Sequence, residues 1–187
     1  MKFRTQFAAA TAVTLLLVSA CGKPADKAAT PTETAAKAAG GDTIASGLGD
    51  ATKFSAAAKA VGLDATLGGP GPYTVLVPTD AAFGKLPAGA LDTLMKPDSR
   101  ARLTGILSYH ILPGTMLAAD IAKAIDGGGG KAEIATMGGG NLTATKDGDK
   151  IVFTDAAGTK ATVTAADEKR SNGVVHMVDS VLMPARK

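Results

Sequence analysis

Two nearly unbroken apolar stretches dominate the hydropathy pattern, Tyr73-Thr74-Val75-Leu76-Val77 and Gly173-Val174-Val175-His176-Met177-Val178-Asp179-Ser180-Val181-Leu182-Met183. Both are rich in β-branched residues and neither alternates with polar ones, which predicts strands covered on both faces. Each is stopped by a proline, Pro78 and Pro184, which cannot donate to a ladder. After Pro78, Thr79 and Asp80 suit a helix start, with Phe83 folding back onto the core. Before the second strand, Asn172-Gly173 reads as turn chemistry.

Between these strands the period changes twice. Phe54, Ala57, Ala58 and Val61 form a helical stripe, with Asp50 as its cap, Gly62 at the left-handed C′ position and Leu63 folding back. Gly68 to Pro72 is a turn; a phosphate loop would need Gly-Lys-Ser/Thr opening a helix, and a strand follows instead. Pro87 opens a short helix with Leu91, Leu94 and Met95 inward, closed by Pro97. Asp98 caps a further helix carrying Leu103, Ile106, Leu107 and His110, broken at Pro113-Gly114. Ile121 and Ile125 mark a last helical turn or two. Short strands follow at 132–137, 142–145, 150–154 and 161–165, with Asp147-Gly148 turning a hairpin. Helices first and strands later, with the Tyr73 strand as a long-range partner, predict an α+β domain.

The stretch from Tyr73 to Phe83 resembles the opening motif of the fasciclin (FAS1) family, and Asn172 to Pro184 resembles its closing motif. Leu107-Ser108-Tyr109-His110-Ile111-Leu112-Pro113-Gly114 resembles the central Tyr-His motif. Three motifs in order are a specific match, covering residues 42–184. Leu76-Val77 departs from the family's frequent Phe-Ala, and 127–140 is unusually glycine-rich. The resemblance implies a wedge-shaped β-sandwich with a cluster of helices on one side, and a non-catalytic role in adhesion. It makes Thr79, Asp80, Phe83, Asn172, Gly173, His176 and Asp179 motif residues of the frame. It also makes Leu107, Tyr109, His110 and Ile111 candidate adhesion residues, beside the plainer reading that they pack a helix end against the sandwich.

The N-terminus changes the picture of localisation. Lys2 and Arg4 precede a short apolar core, so residues 1–20 read as an export signal, too short to span a bilayer. Val18-Ser19-Ala20-Cys21 resembles a lipobox, and Cys21 is the chain's one cysteine, with no disulfide partner in an exported protein. Acylation of Cys21 is therefore expected, anchoring the chain to the bacterial envelope. Gly22, where Asp would retain the protein at the inner membrane, resembles the pattern for outer-membrane sorting. Residues 21–41 form a tether of Ala, Lys, Thr and Pro with too little apolar surface to fold. A short tail, 185–187, closes the chain.

Charge excludes one class of partner. The formal net charge is +3, but the chain without Lys2 and Arg4 has 18 basic against 17 acidic residues and no basic block, so there is no electrostatic footprint for nucleic acid. Candidate chemistry is sparse. The two histidines, His110 and His176, lie on apolar faces and read as core residues rather than metal ligands. Asp80 and Asp179 suit caps and rims better than an acid/base pair. No Gly-x-Ser-x-Gly elbow or EF-hand spacing occurs. The expected protein is an envelope-anchored adhesion module without metal or cofactor, its partners the membrane and a surface protein, matrix protein or glycan. Two rivals remain: a small-ligand lipoprotein with an apolar cleft between sandwich and helices, and an enzyme with paired titratable groups in such a cleft.

Overall fold

A computed structural model describes residues 41–49 and 51–185. The signal segment, Cys21, the tether and the Asp50 cap lie outside them. The order of elements is α1 (Thr52–Val61), α2 (Asp64–Gly68), β1 (Tyr73–Pro78), α3 (Asp80–Gly84), α4 (Ala90–Leu94), α5 (Arg100–Tyr109), β2 (Ile111–Pro113), α6 (Ala118–Gly127), β3 (Lys131–Ala135), β4 (Asn141–Asp147), β5 (Lys150–Thr154), β6 (Lys160–Arg170) and β7 (Gly173–Val178).

The seven strands form one mixed sheet, β2-β1-β7-β6-β5-β4-β3. Among the described residues its one parallel pair joins the two apolar stretches directly, Tyr73 opposite Gly173 through Pro78 opposite Val178. Bulges in β6 between Val163 and Glu168 bend the sheet, and Met137 N–H reaches the Ile111 carbonyl at 2.8 Å to bring the two ends together. The result is a nearly closed sandwich built from one continuous sheet.

The pleat explains why β1 and β7 need apolar side chains throughout. Val75, Val77 and Val175 face the helices, packing with Ile44, Phe54, Ala57, Leu103 and Ile106. Leu76 and Val178 face the sandwich interior, packing with Tyr109, Leu112, Phe153, Leu142 and Leu182. Both faces are buried, so neither can be polar.

Several expectations change. The Ile121 turn is a ten-residue helix, α6, and it packs Ile121 and Ile125 into the sandwich cluster rather than joining the other helices. Ile111–Pro113 is an edge strand antiparallel to β1, not simply a helix break. Asp98 makes no cap; it lies in a 3-10 turn, Pro97–Ser99, and α5 begins after Ser99 with no side-chain cap. Met95, expected inward, is 41% exposed, because α4 ends at Leu94 and the chain leaves toward Pro97. The Gly62 C-cap is left-handed, with Leu63 N–H bonded to Ala58 O at 2.9 Å, as its sequence predicts.

Candidate functional site

The motif residues converge on the two ends of the β1–β7 pair, and their polar atoms bond mainly to backbone far away in the chain. Asn172 is more than a turn residue. Its Oδ1 accepts from Ile44 N–H at 2.8 Å, and its Nδ2 donates to the Leu67 and Gly69 carbonyls at 2.7 and 2.8 Å. One buried amide thus fastens the N-terminal segment and the end of α2 to the start of β7. Beside it, a Cβ on Gly173 would lie 1.9 Å from the Tyr73 carbonyl oxygen, and one on Gly71 would lie 1.9 Å from the Asn172 carbonyl oxygen. Only glycine permits these backbones to approach so closely.

At the other end Thr79 caps its own helix, its Oγ1 accepting from Ala82 N–H at 3.2 Å. Asp80 instead caps a different one. Its Oδ1 accepts from Lys53 N–H at 3.0 Å and its Oδ2 from the Thr52 hydroxyl, at the first turn of α1. These two bonds hold its carboxyl below the ordinary value. Phe83 is buried against the helix-side core. Asp179 accepts from Thr162 N–H at 2.7 Å and pairs with Lys85 at 3.1 Å. Burial pushes its pKa up, but the Thr162 bond and the Lys85 ammonium outweigh this and hold it below the ordinary value.

Both histidines are core residues. His110 has its Nδ1 2.8 Å from the Ile106 carbonyl and accepts at Nε2 from Leu182 N–H at 3.1 Å. These partners require the neutral tautomer with the proton on Nδ1. Burial pushes its pKa down to about 4, against the smaller opposing influence of Ile106 and Asp155. His176 is fixed the other way round: Nε2 lies 2.9 Å from the Met116 carbonyl, and Nδ1 accepts from Asp167 N–H at 3.2 Å. Burial lowers its pKa too. The rings have separate backbone partners and share no hydrogen bond.

The candidate adhesion residues Leu107, Tyr109, His110 and Ile111 are all buried, each at most 2% exposed. Their side chains offer no surface to a partner in this fold. Tyr109 donates to the Asn141 carbonyl at 2.7 Å, and burial raises its pKa. The 138–140 glycines lie over it: a Cβ on Gly138 would sit 2.7 Å from Tyr109 N, and one on Gly140 2.9 Å from the ring. Part of the unusual glycine run is therefore the cover of the tyrosine.

Sequence reasoning missed Asp155, Asp167 and Thr74. Buried Asp155 accepts from Ala157, Thr159 and Met183 N–H groups at 2.8–2.9 Å. Asp167, in the left-handed region with φ 61°, accepts from Ala118 N–H at 2.7 Å and caps α6. Thr74 Oγ1 donates to the Gly114 carbonyl and accepts from Met116 N–H, both at 2.8 Å. Asp155 had a readable signal, an Asp three residues ahead of a turn glycine, Gly158. Asp167 sits in a bulge within a polar run, which a single sequence does not disclose.

Beside this frame lies a cleft of about 820 Å³ between α5 and the segments around 156 and 184. Among the described residues no cluster of three His, Cys, Asp or Glu is placed to hold a metal, and no helix is long and apolar enough to cross a membrane.

A nearly closed mixed sheet, with helices against its β1–β7 face and remote side-chain caps, defines a fasciclin-type domain. The Fasciclin domain profile matches residues 49–184, and the chain belongs to that family. It is 38% identical to protein sll1483 of Synechocystis over 75% of this chain and 71% of that one. It is 36% identical to the cell surface glycolipoprotein MPB83 of Mycobacterium bovis, over 66% of this chain and about half (49%) of MPB83. Human periostin is 33% identical over 72% of this chain, which corresponds to 15% of periostin. A solved FAS1 domain pair from the insect cell adhesion molecule fasciclin I shares the fold, with a TM-score of 0.53 and 24% identity over 72% of this chain and 45% of that one.

Proposed function

We propose that the chain is an envelope-anchored lipoprotein whose fasciclin domain is a non-catalytic adhesion module. Membership of the fasciclin family carries this reading. Two relatives support it by name, a mycobacterial cell surface glycolipoprotein and an insect cell adhesion molecule. Acylated Cys21 is the anchor, and residues 21–41 are the spacer that lifts the domain off the lipid. Each acyl CH₂ buried in the bilayer contributes about 0.8 kcal/mol, so two or more chains hold the protein durably. The partner is a surface protein, a matrix protein or a glycan. It meets the exterior of the domain, while Tyr109 and His110 keep the frame that presents that exterior.

Two measurements test the proposal. The mass of the mature N-terminus should carry acyl groups on Cys21, and Cys21→Ser should release the protein from the membrane fraction. Cells lacking the protein should attach less to immobilised matrix proteins or glycans, with attachment restored by the wild type and not by Cys21→Ser. Unchanged attachment in the deletion strain would remove the adhesion reading, and an unmodified Cys21 would remove the anchor.

A further inference from the structure

We propose that the cleft beside α5 is a binding site for a small apolar carboxylate, a fatty-acid-like monoanion. Its volume, about 820 Å³, falls within the roughly 300–1,000 Å³ range of small-molecule sites. The walls are Gly105 and Ile106 of α5, Ala156 and Ala157 opposite, and Met183 and Pro184 at one end. That surface suits a hydrocarbon chain and offers little to a sugar or a polar peptide.

Two features separate this cleft from a casual surface fold. The first is Gly105, in the interior of a ten-residue helix. Glycine there costs about 1 kcal/mol relative to alanine. Its backbone is ordinary helix, so no left-handed turn requires it. A Cβ at this position would meet no atom within 4 Å, so no neighbour in the protein requires it either. What the glycine provides is open space over the helix, on the cleft wall.

The second feature is charge. Asp155 lies beneath the opposite wall, but it is buried and its carboxylate is taken up by three backbone N–H groups, which fix the 156–159 turn and the segment at Met183 together. Among the described residues the one charged side chain lining the cleft is Arg102, and their ion pairs leave it out. An apolar trough with the Arg102 guanidinium on its lining complements one negative charge on an apolar body. This proposal does not rest on the adhesion reading.

The test is a two-dimensional amide NMR titration of the full chain with decanoate and, separately, with decanol, both below their aggregation limits. Decanoate should give saturable shifts centred on Gly105, Ile106, Ala156, Ala157 and Met183, and decanol should bind several-fold more weakly. Arg102→Gln should weaken decanoate about threefold, the scale of an exposed ion pair, and leave decanol unchanged. Gly105→Leu should abolish binding while the thermal midpoint holds or rises; if that variant does not fold, Ala157→Leu blocks the cleft from its other wall. Absent or scattered shifts, or binding that survives a folded blocking variant, would overturn the site. Equal affinity for decanoate and decanol would overturn the carboxylate assignment.

Discussion

Acid should unfold this domain early, and His110 sets the scale. Protonating the ring would require Nε2, which accepts from Leu182 N–H, to become a donor facing a donor, in a site shared with the Phe54 ring, T-shaped to it at 6.4 Å between centroids. The folded pKa of about 4 lies below the ordinary 6.5. The unfolded chain therefore binds the proton first, and folding stability falls as pH drops below 6.5. Linkage gives about 2 kcal/mol lost by pH 5 and about 3 kcal/mol by pH 4 from this one ring. His176 is depressed as well and loses stability in the same direction. Asp80 and Asp179 have folded values below 3.8, so their contributions are lost only as pH falls through that lower range. The window from 6.5 to 4.5 belongs to the histidines. Urea unfolding followed by far-ultraviolet circular dichroism at pH 7, 6, 5 and 4.5 measures the effect, since the chain has no tryptophan. Stability that stays flat from pH 7 to 5, with an unchanged urea slope, would refute the reasoning. So would a folded-state His110 that titrates near 6.5.

Three further outcomes follow from the frame. Asn172→Ala orphans the Ile44 N–H and two carbonyls; at the usual penalty for unmade buried hydrogen bonds it should cost about 3 kcal/mol by urea unfolding, and a loss under about 1 kcal/mol would show that the hub is dispensable. Gly173→Ala places a methyl 1.9 Å from the Tyr73 oxygen; it should yield little folded protein on expression, and a native dichroism spectrum would contradict the assigned register. Asp80→Ala removes the cap of α1 and should cost about 1 kcal/mol, with faster amide exchange at Lys53 while α6 amides are unaffected; slower or unchanged exchange there would show that Asp80 does not cap α1.

Legibility in the sequence followed chain-local physics. β1 and β7 were readable because burial on both faces leaves an unbroken apolar signature, although β7 ends at Val178 and does not run on to Pro184; the helix ending at Gly62 was readable because its stripe and cap lie within twelve residues. The identities of Asp80, Asn172 and His176 were readable as motif residues, but not their partners. Asp80 reads as the cap of its own helix and instead serves one that starts 28 residues earlier. Asn172 reads as a turn and instead holds Ile44, 128 residues away. Such pairings depend on which backbone groups a finished fold leaves without partners, and no local pattern encodes that. β2 was hidden for a related reason: three residues are too few to show a period.

Those long-range bonds also decide how the adhesion reading can be tested. Asp80, Asp167, Asn172, His110 and His176 each satisfy backbone groups in another segment, so losing one loosens two segments together. Tyr109 and His110 lie in this frame with no exposed surface. The double change Tyr109→Ala, His110→Ala empties a large core site and removes bonds to Asn141, Ile106 and Leu182. Truncating one large aromatic alone costs about 3–5 kcal/mol, comparable to the whole stability of a small domain. The variant should therefore lose its native circular dichroism spectrum along with attachment. If attachment failed while the domain stayed folded, the segment would be acting on a partner through a conformation other than this one. Changes on exposed positions such as Met95 or Lys96 leave the frame intact, so a loss of attachment there reports contact rather than folding.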